Sequence, residues 1–129
     1  MKSLRSPLGR VLGSGSAKGG TGHWWLQRVT AVALLLLGLW FLCSLQFLPE
    51  LGHATIVSWL ASPWNAVLMI LLVATVALHS DLGIRVVIED YMHQPFGRTL
   101  TLILVRFVHV LIAAVAAFSV LSIAFGAAA

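Results

Sequence analysis

The chain has 129 residues, 60% of them hydrophobic and 9% charged, with a mean hydropathy of +0.99. A soluble globular domain of this length needs a polar surface that such a composition cannot supply, so that class is excluded and a membrane protein is indicated. The net charge of +4 and isoelectric point near 10.3 would suit nucleic acid in a soluble chain, but here the basic residues follow membrane topology and nucleic acid is set aside.

Lys2, Arg5, Arg10, Lys18 and Arg28 precede the first long apolar run. The stretch Ser14–Gly22 is rich in Gly and Ser and is expected to be irregular in isolation and ordered only against a partner. Trp24 and Trp25 mark where the chain meets the membrane interface. Val29 through Leu48 carries no charge, and at 1.5 Å per residue it covers the roughly 30 Å hydrocarbon core. The run is too long for a signal-peptide core and no small-residue cleavage site follows at Pro49-Glu50, so it is expected to stay in the protein. Cys43, the single cysteine, lies inside this run and reads as a small packing residue.

Pro49, Gly52 and the Ser62-Pro63 pair bracket a short polar connection. Ser62 is the expected N-cap of the second span, with Pro63 in its first turn. That span is apolar through Leu78 and is predicted to continue helically to about Tyr91, where Gln94-Pro95 and Gly97 break it. The third runs from near Thr99 to about Phe125, with Arg106 and His109 in its first half. The expected organisation is therefore a leader and interfacial segment over 1–28 and a three-helix membrane anchor over 29–129, with spans at about 29–48, 63–91 and 99–125. Arg85 and Arg98 flank the second connection, whereas the first connection and the C-terminus carry no Lys or Arg. By the positive-inside rule the N-terminus is cytoplasmic and the C-terminus periplasmic. The intramembrane ionisable groups at 79, 81, 106 and 109 should face protein, and few groups of this chain are available to pair with them. A partner subunit is therefore expected.

The residues with most chemistry are His79, Gly83, Asp90 and Tyr91. At about 100° per residue, the step from His79 to Asp90 is about three turns, which returns both to one face, and Gly83 lies within about 40° of it. A neutral imidazole can ligate haem iron, and a bis-histidine haem between membrane helices takes one His from each of two helices. The plainer reading of His79 is a hydrogen-bonded packing histidine, but an intramembrane ionisable residue is a functional hypothesis by default. His109 is the competing candidate and could pair with His79 within one chain, although it sits three residues after Arg106 and the two could satisfy each other. A phenol such as Tyr91 can donate to a quinone carbonyl, and a neighbouring carboxylate such as Asp90 can orient it or relay protons. A phenol at an interface is also an ordinary membrane-anchoring residue, so the dipeptide alone is a weak signal. Asp81, Arg85 and Glu89 recur every fourth residue, about 200°, 240° and 280° from His79, and read as a structural ion-pair ladder on the opposite face.

The pattern His79-x3-Gly83-x6-Asp90-Tyr91 on a second membrane helix resembles the small hydrophobic membrane anchor of succinate dehydrogenase, respiratory complex II. Gly15-Ser16-Ala17-Lys18, Gly22-His23-Trp24-Trp25 and Gln27-Arg28-Val29-Thr30-Ala31 resemble the segment before the first helix in the alphaproteobacterial and mitochondrial-like branch. The resemblance covers residues 7 to 107 and all three spans. It implies that His79 ligates a haem b together with a histidine of the larger cytochrome b anchor subunit. It further implies that Tyr91, with Asp90 beside it, contacts ubiquinone, that Arg28 lies near the haem propionates and quinone pocket, and that His23 lies near a propionate. The rest of the assembly implied is a flavoprotein carrying FAD, where succinate is oxidised, and an iron-sulfur subunit, all attached to the bacterial inner membrane and its lipid. The alternatives are a quinol:fumarate reductase anchor, a small b-type cytochrome using His79 and His109, and a haem-free structural anchor.

Overall fold

The computed structural model describes residues 6–11 and 20–126 and is entirely helical over them, apart from the short connections. The elements are α1 (Pro7–Val11), α2 (Gly20–Gln46), α3 (His53–Leu60), α4 (Pro63–Tyr91) and α5 (Pro95–Ala124). The expectation of an irregular Ser14–Gly22 lies outside the described residues up to Gly19, and Gly20–Gly22 already belong to α2.

Three of these helices, α2, α4 and α5, are long and apolar enough to cross a membrane. Their surfaces agree with their composition. Leu35 and Leu36 of α2 and Phe107 and Ile112 of α5 are all more than 60% exposed, apolar surface of a kind that lipid accepts. Within lipid, backbone and hydroxyl groups must be satisfied by the protein itself. Ser44 donates to the Trp40 carbonyl at 2.7 Å, Thr75 to Leu71 at 2.7 Å and Ser119 to Val115 at 2.9 Å. Each of these hydroxyls folds back onto its own helix.

The helix ends follow backbone chemistry. After α2, the Leu48 amide bonds to the Leu45 carbonyl at 3.3 Å in a tightened last turn, and Pro49 stops the helix because it has no N–H to donate. Pro63 opens α4 and Pro95 opens α5, in each case in the first turn, where a missing N–H costs nothing. The third membrane helix therefore starts four residues earlier than the expected Thr99. The proline that ends one helical run also seeds the next. Ser62 occupies the N-cap position of α4 without a side-chain capping bond, contrary to expectation. Instead its carbonyl accepts from Ala66 N at 2.9 Å, and the Asn65 amide donates to the Trp59 carbonyl at 2.8 Å. α5 closes on Gly126, whose φ of +72° places it in the left-handed region that a terminal glycine takes without a Cβ penalty.

The connection between the first two membrane helices holds α3, where the sequence pattern shows only a polar link. Trp59 on α3 stacks on Trp40 of α2, with ring centroids 5.7 Å apart and planes 23° apart. Beside it, Leu60, Ala66 and Val120 bring α3, α4 and α5 into one small buried cluster. That cluster is an apolar clamp at the end of the bundle away from the leader.

α4 is the central helix and packs against both α2 and α5. One face carries His79 towards α2, and another carries Asp81 towards α5. Functional groups on two sides of one helix are thus each served by a different neighbour.

Candidate functional site: a histidine held between two helices

His79 is half-buried and lies twelve residues before the end of α4, about 18 Å from it along the axis. Two residues of α2 meet its ring. Thr30 Oγ1 is 2.9 Å from Nδ1 and Gln27 Nε2 is 3.5 Å from Nε2. Thr30 is buried and its hydroxyl also contacts the Leu26 carbonyl at 2.8 Å. Gly83 is one turn along, and a Cβ placed there would meet only the Gln27 amide nitrogen, at 3.8 Å. The glycine is therefore not required by packing within this chain. It leaves an open strip of backbone beside the imidazole.

Three buried polar atoms lack partners among the described residues: His23 Nε2, Gln27 Oε1 and Arg85 Nε. Two of them are on the first turns of α2, on the same side of the bundle as His79. Unpaired buried polar atoms are costly and call for an explanation such as a ligand. No three His, Cys, Asp or Glu side chains converge among the described residues. A lone intramembrane imidazole beside a glycine, with unpaired polar atoms nearby, has the donor chemistry to hold a haem iron.

The remaining candidates are placed as follows. Arg28 is exposed, with its guanidinium carbon 5.5 Å above the Trp24 ring, a cation–π contact at the start of the membrane-spanning part. Trp24 and Trp25 lie together with centroids 5.4 Å apart. His23 is half-buried one turn before Gln27. Asp90 and Tyr91 are the last two residues of α4 and both are exposed, Tyr91 by 79%. His79, Gln27 and Thr30 are brought into one site, whereas Asp90 and Tyr91 form a separate, outward-facing one at the helix end. The roles of Thr30 and Gln27 go unread in the sequence. Their signal is a polar pair three residues apart at the mouth of an apolar run, which puts both on one helix face.

The second polar set is internal. Asp81 is buried, and its Oδ2 accepts from Arg106 Nη2 of α5 at 2.8 Å, with Arg85 Nη2 at 3.9 Å. Arg85 thus reaches the Asp81 rung of the anticipated ladder, and the pairing that matters crosses to α5. Arg106 and His109 do not satisfy each other. His109 Nδ1 donates to the Val105 carbonyl at 2.7 Å, and its Nε2 accepts from Ser80 Oγ at 3.0 Å. Both ring nitrogens are engaged. The intramembrane ionisable groups at 79, 81, 106 and 109 all find polar partners within this chain, so the expected shortage of internal partners does not arise.

A bundle of three helices long and apolar enough to span a bilayer, with the groups at 79, 81, 106 and 109 partnered within it, defines a multi-pass membrane protein. Residues 2–125 match the family described as succinate dehydrogenase/fumarate reductase transmembrane subunit. The chain is 38% identical over 90 residues to a succinate dehydrogenase hydrophobic membrane anchor subunit of Rickettsia bellii, covering 69% of this chain and 71% of that one. It is 36% identical over 104 residues to the protein of that name from Rickettsia conorii, covering 80% and 82%. With the succinate dehydrogenase membrane anchor subunit of Reclinomonas americana the identity is 30% over 92 residues, covering 69% and 77%. The chain belongs to the succinate dehydrogenase/fumarate reductase transmembrane subunit family, as a membrane anchor.

Proposed function

We propose that this membrane anchor of succinate dehydrogenase supplies, through His79, one axial ligand of a haem b shared with the second anchor subunit. Through Tyr91 and Asp90 it contributes part of the ubiquinone reduction site. The observation that carries this reading is the His79 site itself, a half-buried imidazole fixed by α2 beside the open backbone of Gly83. The haem provides a one-electron redox centre within the membrane. His79 would hold its iron, and Gly83 would leave room for the ring beside α4. His23, with an unpaired buried Nε2, and Arg28 are the groups of α2 suited to carboxylates at the haem edge.

Tyr91 donates its phenolic hydrogen to a quinone carbonyl, and Asp90 orients the donor or passes protons from water. Both stand exposed at the helix end, where another subunit can cover them. The N-terminus and the quinone-facing end are assigned to the cytoplasmic side of a bacterial inner membrane, in keeping with the basic residues grouped there. Succinate oxidation, FAD and the iron-sulfur clusters belong to the partner flavoprotein and iron-sulfur subunits.

The test is a reduced-minus-oxidised visible spectrum of the complex captured through this chain, reduced first with succinate and then with dithionite. His79→Ala should lose or perturb the b-type band, while Tyr91→Phe should keep the band and slow quinone reduction. A complex with no band under either reductant would replace this reading with that of a haem-free anchor.

A further inference from the structure

The hydrogen bonds around His79 fix more than its position. Thr30 is 5% exposed, and its Oγ1 lies 2.8 Å from the Leu26 carbonyl oxygen, 3.2 Å from the Gln27 carbonyl oxygen and 2.9 Å from His79 Nδ1. A hydroxyl has one proton to donate, and a carbonyl oxygen can only accept. That proton is committed to the Leu26 carbonyl, the shortest of the three contacts, with the Gln27 carbonyl as its weaker branch. Oγ1 therefore meets the imidazole with a lone pair, and Nδ1 must carry the ring proton. In a neutral ring the other nitrogen, Nε2, is then left with its lone pair free.

Gln27 Nε2 lies 3.5 Å from His79 Nε2, at the outer limit of a hydrogen bond, and Gln27 Oε1 is unpartnered. Exchanging the two amide atoms would set an acceptor at the same place, so this contact selects no tautomer and the assignment rests on Thr30.

We propose that Thr30 is a positioning residue that holds His79 as its Nδ1–H tautomer and presents Nε2 as the electron-pair donor to iron. The proposal rests on the reading of His79 as an axial haem ligand. Threonine suits the task because its hydroxyl folds back onto the carbonyl one turn earlier, which fixes both the direction of Oγ1 and the use of its proton. Ligating histidines are commonly held in this way by an acceptor on the second ring nitrogen, which also raises the donor strength of the first. Valine has the same shape and offers no acceptor. In Thr30→Val the Nδ1–H would face a methyl group, so the ring would turn away or shift its proton to Nε2, and either change weakens the bond to iron.

The experiment compares wild type, Thr30→Val, Thr30→Ser and His79→Ala in the assembled complex. Two quantities are read: the rate at which haem passes to excess apomyoglobin, and the low-spin haem electron paramagnetic resonance. Thr30→Val should release haem roughly 10- to 100-fold faster, the usual cost of losing such a supporting partner, with shifted resonance positions. Thr30→Ser should restore both. Should Thr30→Val prevent assembly, Thr30→Ala removes the acceptor without adding bulk and is read the same way. Unchanged release and resonance in Thr30→Val, with haem lost in His79→Ala, would overturn the positioning role alone. Equal damage from Thr30→Ser and Thr30→Val would also overturn it, by making shape and not the acceptor the cause. Retention of an unaltered haem in His79→Ala would overturn the ligand reading, and the positioning role with it.

Discussion

Removing one arm of the Asp81–Arg106 pair should destabilise the bundle by an amount that depends on which arm is removed. The side chain of Asp81 is 8% exposed and that of Arg106 is 56% exposed, with 2.8 Å between Nη2 and Oδ2. Arg106→Gln leaves a carboxylate sealed between α4 and α5, its remaining cation being Arg85 at 3.9 Å. Breaking a buried pair in this way costs about 3–5 kcal/mol, and the residual Arg85 contact places the expected value at the lower end. Asp81→Asn leaves instead a guanidinium on a flexible, half-exposed side chain that can swing to another polar group. Its cost should be closer to the net worth of one hydrogen bond to a charged group, about 1.5–3 kcal/mol. The two changes combined should cost less than their sum, by a coupling of about 0.5–3 kcal/mol. Reversible unfolding of the chain in mixed micelles by increasing the sodium dodecyl sulfate fraction would measure all four corners of this cycle. Additivity within about 0.5 kcal/mol, or a larger loss from Asp81→Asn than from Arg106→Gln, would refute the reasoning.

Other outcomes follow from the same geometry. His109→Ala should leave the haem spectrum of the complex intact, because Ser80 Oγ holds its Nε2 at 3.0 Å and Val105 its Nδ1 at 2.7 Å, whereas the Nε2 of His79 has only a 3.5 Å contact to Gln27; loss of the b-type band in that variant would point to a haem held by His79 and His109 in one chain. Its stability cost in micelles should be about 0.5–1.5 kcal/mol per hydrogen bond removed. Gly83→Ala should be neutral or stabilising by up to about 1 kcal/mol in the isolated chain, since helix propensity improves and the new Cβ meets only Gln27. Gly83→Leu should fold in micelles yet lower the haem content of the complex, and full haem content would show that the strip beside His79 is not where the ring lies. Tyr91→Phe should reduce quinone turnover by a factor of ten or so, on the scale of one lost hydrogen bond of about 1.4 kcal/mol, without altering haem content; unchanged steady-state turnover would remove the residue from the quinone site.

The parts of the fold that are legible in the sequence are those dictated by backbone chemistry and by long-range hydropathy. Pro63 and the Gln94-Pro95 pair mark helix boundaries because proline lacks an amide hydrogen, whatever surrounds it. The apolar runs identify three spanning helices because lipid demands them. An absence of charge measures a span, however, not a helix, and α2 begins at Gly20, nine residues before the uncharged run. α3 is hidden for the opposite reason. His53–Leu60 is short and holds β-branched residues, so its helicity comes from packing of Trp59 and Leu60 against neighbouring helices and not from local preference.

The site is half legible. Periodicity on α4 finds His79 and Gly83 because they belong to one helix, but it contains nothing about which residue of α2 lies opposite. Thr30 and Gln27 emerge only when the register between helices is known. Arg106 and His109 show the same limit. Their spacing suggests mutual contact, yet α4 presents Asp81 and Ser80 side by side and takes one each.

The first spanning helix runs without interruption from Gly20 to Gln46. Trp24 and Arg28 therefore share one stiff strut with Gln27 and Thr30, which grip the imidazole from across the interface between α2 and α4. No hinge separates the two groups. A displacement of the leader-side end of this strut is therefore carried to the side chains that hold His79, so the N-terminal segment and the aim of the imidazole are set together.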